Sequence, residues 1–192
     1  MKFDANRPDL TIGVLGTGAM GRGIVQVAAA GGINVLMMDA RPGAAAEARD
    51  FVGKMLSRAA EKGSMSKEDA AAATGRVKVV DSLADFKPCH AVIEAVVENL
   101  DVKRQVFGEL ENIVAPDCIL ATNTSSMSVT TIAAKLKTPQ RFAGFHFFNP
   151  VPLMRLVEVI SGLLTEEWVC EGLVGIGKRM TRSTSAKFET PS

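Results

Sequence analysis

The sequence predicts an α/β fold: a Rossmann-like, doubly wound, mostly parallel sheet with helices on both faces. Three observations carry that expectation. Short apolar runs alternate with stretches of helical periodicity along most of the 192 residues. The early runs are continuously apolar, as strands covered on both faces are. The first run also ends in a glycine-rich turn that opens a helix.

The elements follow in order. "LTIGVLG" (10–16) reads as a buried strand, and "AMGRGIVQVAAAGG" as a helix closed by Gly31 and Gly32. "INVLMMD" is a second buried strand. Residues 42–62 then place Ala48, Phe51, Val52, Met55, Leu56 and Ala59 at helical spacing, with Pro42 suited to the first turn. "MSKEDAAAAT" is a short helix N-capped by Ser66. "RVKVV" and "HAVIEAV" are two further strands. A helix over about 99–114 carries a stripe of Lys103, Val106, Phe107, Leu110, Ile113 and Val114, with the Lys103 stem packed and its head reaching outward. "CILATN" is the fifth strand, "SVTTIAAKL" a helix and "RFAGFHF" the sixth strand. "RLVEVI" is the seventh, after the turn "NPVP". A last helix covers about 165–179, and the polar tail "TRSTSAKFETPS" is expected to be loose. No internal repeat, low-complexity segment or linker interrupts the chain. One domain is expected over 10–182, with an N-terminal extension at 1–9 and a polar tail at 183–192.

Bulk composition excludes several classes. Apolar residues make up 47% and charged ones 22%, with a net charge of +1, so neither a basic stripe for nucleic acid nor a membrane-binding surface is indicated. "MKFDANRPDL" lacks an apolar signal region, and no run reaches the length of a membrane span. Cys89, Cys118 and Cys170 are odd in number and far apart, which fits a reduced, cytoplasmic chain with each thiol a small core residue. With no tyrosine, chemistry that needs a catalytic Tyr is excluded. The two histidines, His90 and His146, form no zinc site with the scattered cysteines, and no metal is expected.

"GVLGTGAMG" contains Gly16, Gly18 and Gly21 in G-x-G-x-x-G spacing, between a strand and a helix. The first glycine allows a tight turn, the second a close approach to a pyrophosphate, the third close packing of helix on strand. The helix start, Ala19 and Met20, offers unpaired N–H groups and a positive dipole end. The second strand ends in Asp39, an acid placed to accept from an adenosine ribose diol and to repel a 2′-phosphate. NAD is therefore expected over NADP, although Arg41 nearby suits a phosphate. The plainer alternative is a glycine turn kept for packing and a solvated aspartate.

Ligands of open α/β sheets bind at the carboxyl ends of the strands. Glu94 and Glu98 follow strand four, "NTSS" (123–126) follows strand five, and His146 follows strand six. On strand seven, Glu158 shares a face with Leu156 and Ile160 by alternation. A carboxylate on an apolar face needs a partner, and His146 would supply one. The carboxylate would fix the imidazole tautomer and raise its basicity, making a dyad able to take a proton from a hydroxyl as hydride leaves its carbon. Spacing alone leaves a second reading equally open: a core histidine bonded to backbone and a glutamate on the outer face of an edge strand.

"GVLGTGAMGRGI", "VIEAVVENLDVK", "ATNTSS" and "RFAGFHFFNPVPLMRLVEVI" together resemble the NAD-binding domain of the 3-hydroxyacyl-CoA dehydrogenases, over about residues 10–180. "HFFNPVPLMRLVEVI" is the most specific of these. The resemblance implies NAD-dependent oxidation of an L-3-hydroxyacyl-CoA, as in fatty acid β-oxidation. It implies His146 as general base, Glu158 as its orienting carboxylate and Ser125 as a donor to the substrate oxygen. Asn149 matches a contact to substrate or nicotinamide, and Glu98 and Lys103 match cofactor contacts, Lys103 also near CoA. Lys62 is a looser match for a CoA phosphate contact, and a solvated helix-end lysine is the competing reading. For Ser125 a helix cap is the bland role. Family members continue into an all-helical domain that forms the homodimer and closes over the substrate; here that domain is expected to be absent. An NAD(H)-binding module with little turnover is therefore the alternative function. Another β-hydroxyacid dehydrogenase class with "GxGxMG" ranks last, for want of an "HFFNP" element.

Overall fold

The computed structural model describes residues 3–181 and 183–188. Eight strands form one sheet in the order β3-β2-β1-β4-β5-β6-β7-β8. They are β1 (Thr11–Leu15), β2 (Asn34–Met38), β3 (Val77–Val79), β4 (Ala91–Glu94), β5 (Ile119–Thr122), β6 (Phe142–Phe147), β7 (Leu156–Ser161) and β8 (Ser183–Phe188). The helices are α1 (Ala19–Ala30), α2 (Ala44–Glu61), α3 (Lys67–Gly75), α4 (Leu100–Leu110), α5 (Val129–Ala133) and α6 (Glu167–Met180). Strands β1 to β6 run parallel, β7 is antiparallel to β6, and β8 is parallel to β7.

Alternation within the strands sorts the core into two layers. Ile12, Val14, Val35, Met37, Ala91, Ile93, Phe145, Val157 and Val159 face α1, α2, α3 and α6. Val92, Leu120 and Phe142 face Phe107 and Leu110 of α4 and Ile132 of α5. Both layers hold many side chains fully excluded from water. At about 25 cal/mol per Å² of buried apolar area, these two layers supply the main driving force for folding. The order 3-2-1-4-5-6 reverses direction between β1 and β4, so a crevice opens there at the carboxyl edge.

Most element limits match the sequence expectation, and three differ for physical reasons. Helix α2 starts at Ala44 behind Gly43 in the left-handed region, so Pro42 sits in the turn before the helix and not in its first turn. Helix α4 stops at Leu110, because Asn112, Ile113 and Val114 close a short turn onto Glu109 and Leu110 carbonyls. On β7 Glu158 shares a face with Leu156 and Ile160, as expected; that face is half-buried, and the fully buried one is Val157, Val159 and Ser161. The tail is not loose: Ser183–Phe188 pairs along the whole of β7, and the limit drawn at 182 falls inside the sheet. Residues 189–192 of that tail lie outside the described residues. The sequence offered no apolar alternation there, and the unpaired edge of β7 selects the strand.

Cys89 and Cys118 are buried, as expected, while Cys170 on α6 is only partly so. Burial pushes the Cys89 thiol up to about 12. None of the helices among the described residues is long and apolar enough to cross a membrane.

Candidate active site at the carboxyl edge of the sheet

Gly16 has φ +90, and a Cβ there would lie 2.5 Å from the Ala95 carbonyl oxygen, so β1 and the loop after β4 touch backbone to backbone. A Cβ on Gly21 would lie 1.8 Å from the Gly16 carbonyl oxygen, which closes α1 onto its own entry turn. A Cβ added at Gly18 would meet nothing beyond its chain neighbours within 4 Å. Gly18 is also the N-cap of α1, with no side-chain cap and no acid in the first turn. The N–H groups at Ala19 and Met20 therefore face an open, uncapped cradle, the arrangement a pyrophosphate requires.

Asp39 follows β2 beside this turn. Its Oδ2 accepts from the Thr17 backbone N–H at 2.7 Å and from the Thr17 hydroxyl at 2.8 Å, and its Oδ1 accepts from the Arg41 N–H at 2.9 Å. Burial acts to raise the Asp39 pKa, but the Arg41 and Thr17 donors outweigh it and hold the carboxyl below its usual range. The Arg41 guanidinium turns away to Glu47 at 2.9 Å. The acid thus stays ionised and oriented, while the nearby cation is engaged elsewhere.

The paired ends of β4 and β5 hold a buried ionic cluster with α4. Glu94 ends β4 and Lys103 lies on α4, with side chains 0% and 1% exposed and Nζ 2.7 Å from Oε1. Oε1 also accepts from the Val96 N–H at 2.7 Å, and Oε2 from the Thr122 hydroxyl at 2.8 Å. This corrects the expectation that Lys103 reaches outward. Its stem packs, but its ammonium turns inward because Glu94 on the same sheet face needs a cation. A direct CoA contact by Lys103 is closed off by that burial. Glu94 is likewise not a free rim carboxylate. Glu98 is exposed, 3.7 Å from the Lys103 ammonium, and accepts from the Thr124 hydroxyl at 2.9 Å.

Thr124 also accepts the Met127 N–H at 3.1 Å, so its hydroxyl shapes the loop that presents exposed Ser125. Ser125 caps no helix; Ser128 caps α5, accepting from the Thr131 N–H at 3.1 Å. Asn123 Oδ1 accepts from the Phe147 N–H at 2.9 Å and ties this loop to the end of β6.

His146 lies within β6 itself, directly opposite Glu158 in the antiparallel register. Nδ1 stands 3.1 Å from Glu158 Oε2. Glu158 also accepts from the Lys187 ammonium at Oε1. Lys187 first, and His146 after it, hold the Glu158 carboxyl below its usual range against a partial desolvation. An ionised carboxylate only accepts, so Nδ1 is the ring nitrogen that donates to it, and in the neutral imidazole Nε2 then carries the lone pair. His90 shows the contrasting case: its Nδ1 accepts the Thr11 backbone N–H at 3.1 Å, a histidine held by the frame of the fold.

Beyond β6, Val151 packs against Gly23 of α1, where a Cβ would come within 2.8 Å of it. That anchor holds Asn149 on the wall of a 460 Å³ cleft, whose lining also includes Arg22, Met55, Arg58, Lys62 and Ser64. Lys62 is the exposed C-cap of α2, and it reaches the same cleft as Asn149. Thr17, Thr122, Thr124 and Lys187 were missed by reading the sequence. The signal for Thr17 is its place between two loop glycines and for Thr124 its place inside "NTSS"; Lys187 carried none.

An uncapped glycine cradle, an oriented acid after β2 and a rim of polar groups after β4 to β6 define a dinucleotide-binding α/β domain. Residues 11–186 match the family model described as 3-hydroxyacyl-CoA dehydrogenase, NAD binding domain, and the chain belongs to that family. NAD is the dinucleotide of that domain, and the cradle fits it. The chain is 41% identical over 170 residues to a probable 3-hydroxybutyryl-CoA dehydrogenase of Bacillus subtilis, covering 88% of this chain and 59% of that protein. It is 40% identical over 179 residues to the 3-hydroxyadipyl-CoA dehydrogenase of Escherichia coli K12, covering 91% of this chain and 38% of the relative. Its fold matches the crystal structure of (S)-3-hydroxybutyryl-CoA dehydrogenase from Ralstonia eutropha with a TM-score of 0.90 and 38% identity, over 94% of this chain and 64% of that one. The chain thus spans less than two thirds of the length of these relatives.

Proposed function

We propose that the chain carries the NAD-dependent oxidation of L-3-hydroxyacyl-CoA to 3-oxoacyl-CoA, with a His146–Glu158 dyad as its general base. One observation carries the reading: the dyad is a direct cross-strand pair, 3.1 Å apart, near the strand ends that also bear the cofactor cradle. NAD, when bound, supplies the hydride acceptor. The substrate hydroxyl loses its proton to Nε2 of His146, the one ring nitrogen left with a lone pair. The imidazolium that results is stabilised by Glu158, which stays ionised. Ser125 donates to the substrate oxygen, and Asn149 holds substrate or nicotinamide. Glu98 contacts the cofactor, held in place by Thr124 and Lys103. The 460 Å³ cleft takes the CoA portion, with Lys62 and Arg58 on its wall as phosphate partners. Three free thiols and a neutral chemistry fit the cytoplasm.

The test is NADH oxidation by the purified chain with acetoacetyl-CoA, beside a fluorescence titration of NADH alone. Turnover with saturable NADH binding is the expected result. NADH binding without oxidation would remove the dehydrogenase reading for this chain and leave a binding module. Absence of both would overturn the cofactor site as well.

A further inference from the structure

The edge strand β8 brings a cation to the dyad. In the parallel pairing of β7 and β8, Glu158 stands opposite Ser185 and Ile160 opposite Lys187. Lys187 is therefore one step along the ladder from Glu158, on the same face, within reach of a long side chain. Its ammonium donates to Glu158 Oε1 while the His146 ring holds Oε2. Its backbone is fixed too, because the Ser161 hydroxyl donates to the Lys187 carbonyl at 3.4 Å. Glu158 is 12% exposed, so water alone does not solvate its charge well.

We propose that Lys187 is a positioning residue: by holding one oxygen of Glu158 it keeps the carboxylate ionised and turned so that the other oxygen faces His146 Nδ1. The proposal deepens the dehydrogenase reading and rests on it for its catalytic consequence. The geometric part stands alone. Without the ammonium, Glu158 has only the imidazole as a partner among the described charged groups, and its carboxylate is free to rotate toward solvent. Among the described residues, His146 on β6 and Lys187 on β8 are the charged or titratable groups that act on Glu158.

The experiment follows the Glu158 carboxyl by carbon-13 NMR in the glutamate-labelled chain, through an acid titration, in the native protein and in Lys187→Gln and Lys187→Arg. Lys187→Gln is expected to raise the Glu158 midpoint, because the largest of the effects that lower it is removed. Lys187→Arg, which keeps the charge, restores it. The same two variants are assayed for kcat and for NADH affinity, with a fall in kcat of about threefold and no change in affinity expected for Lys187→Gln. A Glu158 midpoint that does not move, with a lowered Tm, would reduce Lys187 to a strand residue and overturn the proposal. A midpoint that moves as expected in a chain without turnover would leave Lys187 in place and remove only the dehydrogenase reading.

Discussion

At the scale of single residues, the groups proposed for proton transfer lie apart from those proposed for the cofactor. No described bond links His146, the proposed proton acceptor, to the glycine cradle. His146→Gln is expected to lower kcat by about 10²- to 10⁴-fold while leaving NADH affinity within about twofold, read by steady-state rates and by fluorescence titration. A variant with native turnover would unseat His146 as the base. Gly21 is the reverse case. Its added Cβ would stand 1.8 Å from a backbone oxygen that cannot move without opening the β1–α1 turn. Gly21→Ala is expected to cost roughly 1–3 kcal/mol in denaturant unfolding and to abolish NADH binding with it. The acid after β2 gives a pH prediction. The Asp39 carboxyl has a depressed folded pKa, so its contribution is complete above the usual carboxylate range and is lost only as pH falls through the depressed value. NAD affinity should therefore persist on acidification to below pH ~4, the ordinary aspartate value, and a loss centred above it would contradict the bonding of Asp39 to Thr17.

At the scale of elements, capping and register decide what the strands present. The Ser66 hydroxyl accepts the Asp69 N–H at 2.9 Å and closes the first turn of α3, so Ser66→Ala should cost about 1 kcal/mol, seen as a modest fall in Tm with activity unchanged. This cap was legible in "MSKEDA", because the motif is local. The dyad was not settled by the sequence. Alternation placed Glu158 on one face of β7, but whether His146 sat opposite it depended on the β6–β7 register, which the turn through Asn149 and Pro152 sets. A slip of one residue would have turned Glu158 to the other face. The inward turn of Lys103 was equally illegible, because its partner Glu94 lies on a different element.

At the scale of the whole molecule, the buried Glu94–Lys103 pair joins β4, β5 and α4 beneath the cofactor crevice. Removing one partner strands the other in the core. Lys103→Met is expected to destabilise the fold by about 3–5 kcal/mol, and the double variant with Glu94→Leu to recover most of that, measured by chemical denaturation. If the single and double variants lose equally, the pair is not the source of the cost. The positions of Ser125, His146 and Asn149 depend on the same frame, since each follows or ends a strand of one parallel run.

The sequence by itself determined the alternation of strands and helices, the glycine cradle, the acid after β2, and the order in which polar groups reach the carboxyl edge. These are local features, set by side-chain period, turn chemistry and capping within a few residues. Only the tertiary structure decided which charges meet. Glu94 with Lys103, His146 with Glu158, and Glu158 with Lys187 are pairs made across elements, by strand order and register. It also decided that a polar tail becomes a strand, because the exposed backbone of β7 offers it a ladder of hydrogen bonds that no residue pattern within 183–188 announces.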